Sequence, residues 1–141
     1  MRAEGFLLGV LASTPLDWYA RCFVELQVDF HVINEFPIPP FDPIGHRQAR
    51  VVEIAGRLAA VDGRFADWAA DVGVPVGSVT SQAEKDDLIA ELDAVVAHLY
   101  GLDRSDLEVI WDTFYYKVPR NDRRPDLIKV LEHHEQWTDK A

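Results

Sequence analysis

Four prolines fall within seven residues, at Pro37, Pro39, Pro40 and Pro43. No other stretch of the chain restricts the backbone as strongly. Each ring fixes φ and removes a donor, so the segment excludes helix and cannot pair as an inner strand. Asn34-Glu35-Phe36-Pro37-Ile38-Pro39-Pro40-Phe41-Asp42-Pro43 therefore reads as an extended connector. It sets a boundary between two units, residues 1–45 and residues 46–141.

Upstream of the connector, residues 5–12 read as a short buried helix, with Phe6, Leu7, Val10 and Leu11 on one face. Thr14 is the expected cap of the next helix. Pro15 suits its first position, and Asp17 suits the positive end of its dipole. That helix runs over 15–24, with Leu16, Tyr19, Ala20 and Phe23 inward. From Gln27 the period changes to two. Val28, Phe30 and Val32 alternate with Asp29 and His31, which predicts a short strand over 28–33. A lone strand needs a partner, and no second one is evident, so its partner is expected outside the chain.

Downstream, one long helix is expected over 46–71, with Val51, Ile54, Ala55, Leu58, Phe65, Ala69 and Val72 in helical period and Asp62 interrupting. Ser81 and Glu84 have capping-box spacing. Leu88, Ile89, Leu92, Val95, Val96, Leu99 and Tyr100 follow as an apolar stripe, and Gly101 stands at the C′ position. Ser105 with Glu108 predicts another capped helix carrying Leu107, Ile110, Trp111 and Phe114. Pro125 opens a last one over 125–136. The expected fold is thus mainly α: a helical C-terminal domain, one short strand, and a Pro-rich connector in the N-terminal third.

With 141 residues, 48% of them apolar, the chain can bury a core. No apolar run approaches the ~20 residues of a membrane helix, and the N-terminus does not read as a signal peptide. A single cysteine, Cys22, cannot form an internal disulfide, so a cytoplasmic location is expected. The net charge of −10 argues against a free-standing nonspecific nucleic-acid binder, though not against a local basic patch.

Motifs of common chemistries are missing. There is no glycine-rich cofactor loop and no Walker loop; Gly5 and Gly9 lie in an apolar helix and read as packing positions. A (D/E)xK nuclease element needs an acid two residues before a lysine. Ala83, Tyr115, Leu127 and Thr138 hold those places before Lys85, Lys117, Lys129 and Lys140. His31, His46, His98, His133 and His134 have no zinc-site spacing. His98 reads as a half-exposed helix residue, and His133 and His134 point apart on a helix. Cys22 has no evident base and reads as a packed thiol.

Basic residues form the one polar constellation of note. Arg50, Arg57 and Arg64 recur every seven residues, with Arg47 one turn before Arg50. Lys117, Arg120, Arg123 and Arg124 cluster around Pro119 and Asn121. Either group can contact phosphates. Either can equally be a solvated face, paired with neighbours such as Glu53, Asp67 and Asp122.

Two stretches resemble a known family. The first is Leu7-Leu8-Gly9-Val10-Leu11-Ala12-Ser13, then Asp17-Trp18-Tyr19-Ala20-Arg21 and Asp29-Phe30-His31-Val32-Ile33-Asn34-Glu35-Phe36-Pro37-Ile38-Pro39. The second is Ala90-Glu91-Leu92-Asp93-Ala94-Val95-Val96-Ala97-His98-Leu99-Tyr100-Gly101-Leu102, followed by Asp106-Leu107 and Thr113-Phe114. Together, over most of residues 5–115, they resemble the C-terminal target-recognition and helical tail region of type IIG-like restriction–modification enzymes and of related phage-defence (BREX-type) adenine-specific DNA methyltransferases. In that family a helix ending "LLNS" packs behind the recognition region, a strand leads to a "lPIP" segment, and a helical tail carries "lDalVahLYGL". The family's core binds S-adenosylmethionine and uses an N-P-P-aromatic motif on a flipped adenine. Asn34-Glu35-Phe36-Pro37 is not that motif, so no catalytic or cofactor-binding residue carries over to this chain.

The resemblance implies a non-catalytic DNA-recognition or scaffold piece of such an enzyme, as a fragment or separate subunit. Its partners would be the methyltransferase core and duplex DNA. Lys117, Arg120, Arg123 and Arg124, then Arg47 and Arg50, are the candidate phosphate contacts. The alternative is an acidic helical protein–protein interaction module without DNA contact. A third reading is a truncated remnant of a longer gene.

Overall fold

The computed structural model describes residues 2–23, 29–114, 117 and 119–140; the side chains of Arg120, Arg123 and Arg124 lie outside that description. The described residues are mainly α-helical and contain no strand. Helix α1 (Arg2–Ala12) buries Gly5, Phe6, Gly9 and Val10 against α4 (His46–Ala59), which offers Val51, Val52, Ile54 and Ala55. Gly9 sets the closeness of that crossing. A Cβ there would stand 2.5 Å from Val51 Cγ1, 3.2 Å from Ala55 Cβ and 3.3 Å from the Val51 carbonyl oxygen. Those atoms belong to a stiff β-branched side chain, an alanine methyl and buried backbone, none of which can swing away. Gly9→Ala is expected to lose about 1 kcal/mol in urea denaturation, because overpacking outweighs the gain in helix propensity. A stability gain would show that α1 can slide on α4.

Helix α2 (Thr14–Arg21) starts one residue before Pro15. Thr14 is not its cap. Ser13 holds the N-cap position, yet its Oγ donates to the Val10 carbonyl at 2.7 Å. The cap comes from a distant helix instead: Asp93 Oδ1 accepts the Thr14 N–H at 2.7 Å.

The strand expected over 28–33 is absent across its described residues, Asp29 to Ile33. Phe30–Ile33 forms a single helical turn, α3, because the Asp29 side chain accepts the Val32 N–H at 3.1 Å and caps it. Val28 lies outside the described residues. The Pro segment is extended, as its rings require, and it follows the core closely. Phe36 meets Tyr19 edge-on at 6.4 Å between ring centroids, and Phe41 lies 5.2 Å from Phe6. Phe6, Val10 and Leu16 share one buried cluster with Val51, Ile54, Leu88, Val95 and Trp137. The connector therefore joins two parts of a common core.

The helix expected over 46–71 is two helices. It breaks after Ala59, where Ala60 leaves helical geometry at φ −80°, ψ 64°. Asp62 then caps a 3-10 turn over Gly63–Phe65 by accepting the Arg64 N–H, and α5 (Ala66–Val72) follows. Gly73, at φ 87°, ends α5 in the left-handed conformation.

Helix α6 (Gln82–Leu99) is the centre of the molecule. Ser81 Oγ accepts the Glu84 N–H at 3.1 Å, as the sequence predicts. The Glu84 carboxylate turns away from Ser81, to the Thr80 N–H at 3.2 Å and to Arg57 at 2.6 Å. Gly101, at φ 69°, lets Leu102 N–H reach the Ala97 carbonyl and Gly101 N–H reach that of His98, a Schellman closure. Two faces of α6 are buried. Leu88, Leu92, Val95 and Val96 meet the α1–α4 layer. Ala90, Ala94 and Ala97 meet Leu107, Ile110, Trp111, Leu127, Val130 and Leu131.

Those partners come from α7 (Arg104–Phe114) and α8 (Arg120–Gln136). The cap of α7 is not the Ser105–Glu108 pair. Asp103 Oδ1 accepts the Asp106 N–H at 3.0 Å and Asp106 Oδ2 accepts the Asp103 N–H at 2.9 Å, two residues earlier. Ser105 only donates its hydroxyl to Asp103. Helix α8 starts five residues before Pro125, which sits inside it near the N-terminal end. At the sixth helical position it lies past the first four N–H groups, so it removes one i→i−4 bond of α8.

Candidate functional site

The basic residues of the sequence fall in two settings. Arg47 and Arg50, on α4, are committed internally. Arg47 donates through Nη2 to the Trp137 carbonyl at 2.9 Å and the Thr138 carbonyl at 3.3 Å, at the C-terminal end of α8. A guanidinium suits that end of a helix, where carbonyls lack partners. Arg50 grips Glu91 of α6 through two bonds, Nε to Oε1 at 2.9 Å and Nη2 to Oε2 at 2.6 Å, and reaches Glu53 at 2.8 Å through Nη1. Trp137 Nε1 donates to the same Glu91 at 3.1 Å. Hydrogen bonding to Glu91 raises Arg50 above its ordinary value. Burial pushes Glu91 up, but the bonds and charge of Arg50 outweigh it and hold the carboxyl below its usual range.

The other arginines of that heptad series are also paired. Arg57 bonds Ser78 and Glu84, and Arg64 bonds Asp62. Arg64, 79% exposed, fits the solvated-face reading; Arg50 and Arg57, at 24% and 19%, instead tie α4 to α6 through Glu91 and Glu84, and of the expected partners only Glu53 is used.

Lys117 is exposed, in a turn between α7 and α8. Arg120, Arg123 and Arg124 lie on the opening turns of α8, and their side chains fall outside the described set. The structure therefore separates the six candidates: Arg47 and Arg50 sit at the α4–α6–α8 junction, Lys117 in the turn after α7, and Arg120, Arg123 and Arg124 on the opening turns of α8.

Beside Arg47, His98 of α6 and His134 of α8 stack with ring centroids 3.8 Å apart and planes within 9°. His98 Nε2 meets the His134 carbonyl at 2.7 Å, and His134 Nε2 meets the Leu102 carbonyl at 2.9 Å. Both carbonyls require an N–H, which fixes both Nε2 tautomers. Burial, with the nearby Arg47 and His134 charges, holds His98 below the ordinary imidazole value. His133 turns away to Asp87 at 2.9 Å. Among the described residues no three His, Cys, Asp or Glu side chains form a group that could hold a metal.

A second setting is apolar. Phe23, Phe30 and Ile44 are exposed at 64%, 84% and 85%, all between the end of α2 and the start of α4. Cys22, also exposed, donates its thiol to the Trp18 carbonyl. The sequence placed Phe23 on the inward stripe of its helix and Phe30 in a strand, and it missed Glu91 and Asp93. Two acids inside the apolar run Leu88–Val96 were the available signal. No helix of the described residues is long and apolar enough to cross a membrane.

Comparison of the chain with protein-family models, curated proteins and solved structures finds no match. The class defined by fold and geometry is a mainly helical protein whose buried charges tie helices together.

Proposed function

We propose that the chain is a non-catalytic scaffold element of an adenine-specific DNA methyltransferase system, docking on the methyltransferase core through the segment between α2 and α4. One observation carries this reading. The core of the molecule is complete without Phe23, Phe30 and Ile44, which stay in solvent. These are the three most exposed large apolar side chains among the described residues, and exposed apolar surface is the material of a contact site. The resemblance of the two sequence stretches to the tail of such enzymes supports the identity of the partner. S-adenosylmethionine belongs to that core in this reading, not to this chain.

DNA contact enters as a second part of the proposal, through Lys117, Arg120, Arg123 and Arg124. Arg47 and Arg50 are bonded within the fold, so α4 is left aside and the contact rests on the sequence cluster. Four basic residues within eight positions can supply phosphate contacts while the rest of the chain stays acidic.

The test is co-expression with a methyltransferase core bearing the N-P-P-aromatic motif, followed by gel filtration. Co-elution is expected, and Phe30→Asp with Ile44→Asp should abolish it without changing the melting temperature. The complex should bind duplex DNA with a steep salt dependence, and changing Arg120, Arg123 and Arg124 to Ala should weaken binding at least tenfold. Absence of co-elution overturns the docking reading; unchanged DNA affinity overturns the contact assignment.

A further inference from the structure

Three basic side chains meet where the end of α6 faces α8 and the start of α4. The His98 and His134 rings stack at 3.8 Å, within 9° of parallel. Each already donates through Nε2 to a carbonyl, His98 to that of His134 and His134 to that of Leu102. Only the two Nδ1 atoms are left to take a proton. Arg47 of α4 bonds the Trp137 and Thr138 carbonyls, and its buried Nε has no partner among the described residues. The charges acting on His98 are those of His134 and Arg47, both positive. Carboxylates of the adjoining segments are engaged elsewhere: Glu91 with Arg50 and Trp137, Asp103 with the Asp106 N–H and the Ser105 hydroxyl. His133 turns the other way and faces Asp87 at 2.9 Å, so a proton there tightens the contact between α6 and α8.

We propose that the His98–His134 stack is an acid-sensitive latch that holds the C-terminal end of α8 on α6 and releases it when both rings are protonated. The first proton meets a neutral ring. The second places two like charges face to face beside Arg47, and at that range a like charge disfavours protonation. Parting the rings removes the opposition and frees the end that carries Trp137 and Thr138. Burial, with the same charges, holds His98 below the ordinary imidazole value of 6.5 in the closed state. The open state therefore takes up the proton more readily, and it gains on the closed state as pH falls below that value. The latch shares no residue with the exposed Phe23, Phe30 and Ile44, so it stands or falls apart from the docking proposal.

Hydrogen exchange on the full chain reads the latch at the Trp137 and Thr138 amides, which donate to the His133 and Glu135 carbonyls. Their protection, corrected for the intrinsic rate, should be about tenfold lower at pH 5 than at pH 7, the effect of one proton taken up on opening. The amides of Val10 and Ile54, in the α1–α4 layer, should show no such fall. His98→Gln keeps an N–H for the His134 carbonyl and cannot take a proton; His134→Gln does the same toward Leu102. Each should remain folded, with the amide spectrum at pH 7 as the check, and each should shrink the fall to within about twofold. Equal protection at the two pH values in the native chain, a tenfold fall that persists in either variant, or a fall shared by Val10 and Ile54 would each overturn the latch.

Discussion

Arg50→Met should destabilise the protein by about 3 kcal/mol at pH 7, measured by urea denaturation. The loss comes from Glu91. Its side chain is only 11% exposed, and Arg50 supplies both of its short ion-pair bonds. Without Arg50 the carboxylate keeps, among the described residues, only the Trp137 donor. A buried charge stripped of its counter-ion costs about 3–5 kcal/mol, whereas the intact pair contributes much less, because desolvation offsets attraction. Partial exposure of Arg50 puts the expectation at the low end of that range. The double variant Arg50→Met with Glu91→Leu should recover most of the loss, since two apolar groups then fill the junction of α4, α6 and α8. A single variant that loses less than about 1 kcal/mol would mean that water already screens Glu91. A double variant no better than the single one would mean that geometry matters more than the stranded charge.

That pair also shows where sequence reasoning ends. Helix α6 was legible at both ends because its boundaries rest on local chemistry: a hydroxyl three residues before an N–H, and a glycine free to take positive φ. The Pro segment was legible because ring geometry does not depend on context. The partner of Arg50 was not legible, since Glu91 lies 41 positions away and periodicity says nothing about which faces meet. Local signals also misled where two competed. Val28, Phe30 and Val32 alternate over too few positions to outweigh the capping side chain of Asp29. Asp103–Asp106 and Ser105–Glu108 have the same spacing, and the first prevails because the chain leaves the Schellman turn at Leu102 directly into Asp103. The helical period ran on from α4 into α5 because both helices bury the same layer, as Val51, Ile54, Ala69 and Val72 in one cluster show. Asp62, read as an interruption, was the cap of the next element.

Asp93→Asn should make the protein more stable than the native chain at pH 8, by about 2 kcal/mol, and should give no gain at pH 4. Asp93 is 3% exposed and caps α2 from α6. Two effects compete there. The Thr14 N–H and the positive end of α2 favour the carboxylate, by about 1 kcal/mol for a helix terminus. Burial opposes it and wins, raising the carboxyl from 3.8 to about 7. The other charged groups at this position are Asp86 of α6 and Asp126 and Lys129 of α8, which line the same cavity of about 150 Å³ with Thr14 and Trp111. Two acids and one lysine give Asp93 no net positive surroundings. The unfolded chain loses this proton near pH 4 and the folded chain near pH 7. Between those values only the folded state holds it, so stability falls as pH rises through that window. Asparagine keeps the acceptor for Thr14 and cannot ionise, so the fall disappears in the variant. The contribution of His98 has the opposite sign, being lost as pH drops below 6.5, and it cancels in the difference between the two chains. Paired denaturation curves from pH 4 to 8 read that difference directly. A variant equally destabilised at both ends would mean that Asp93 is ionised throughout and that the charge on the α2 terminus outweighs its burial.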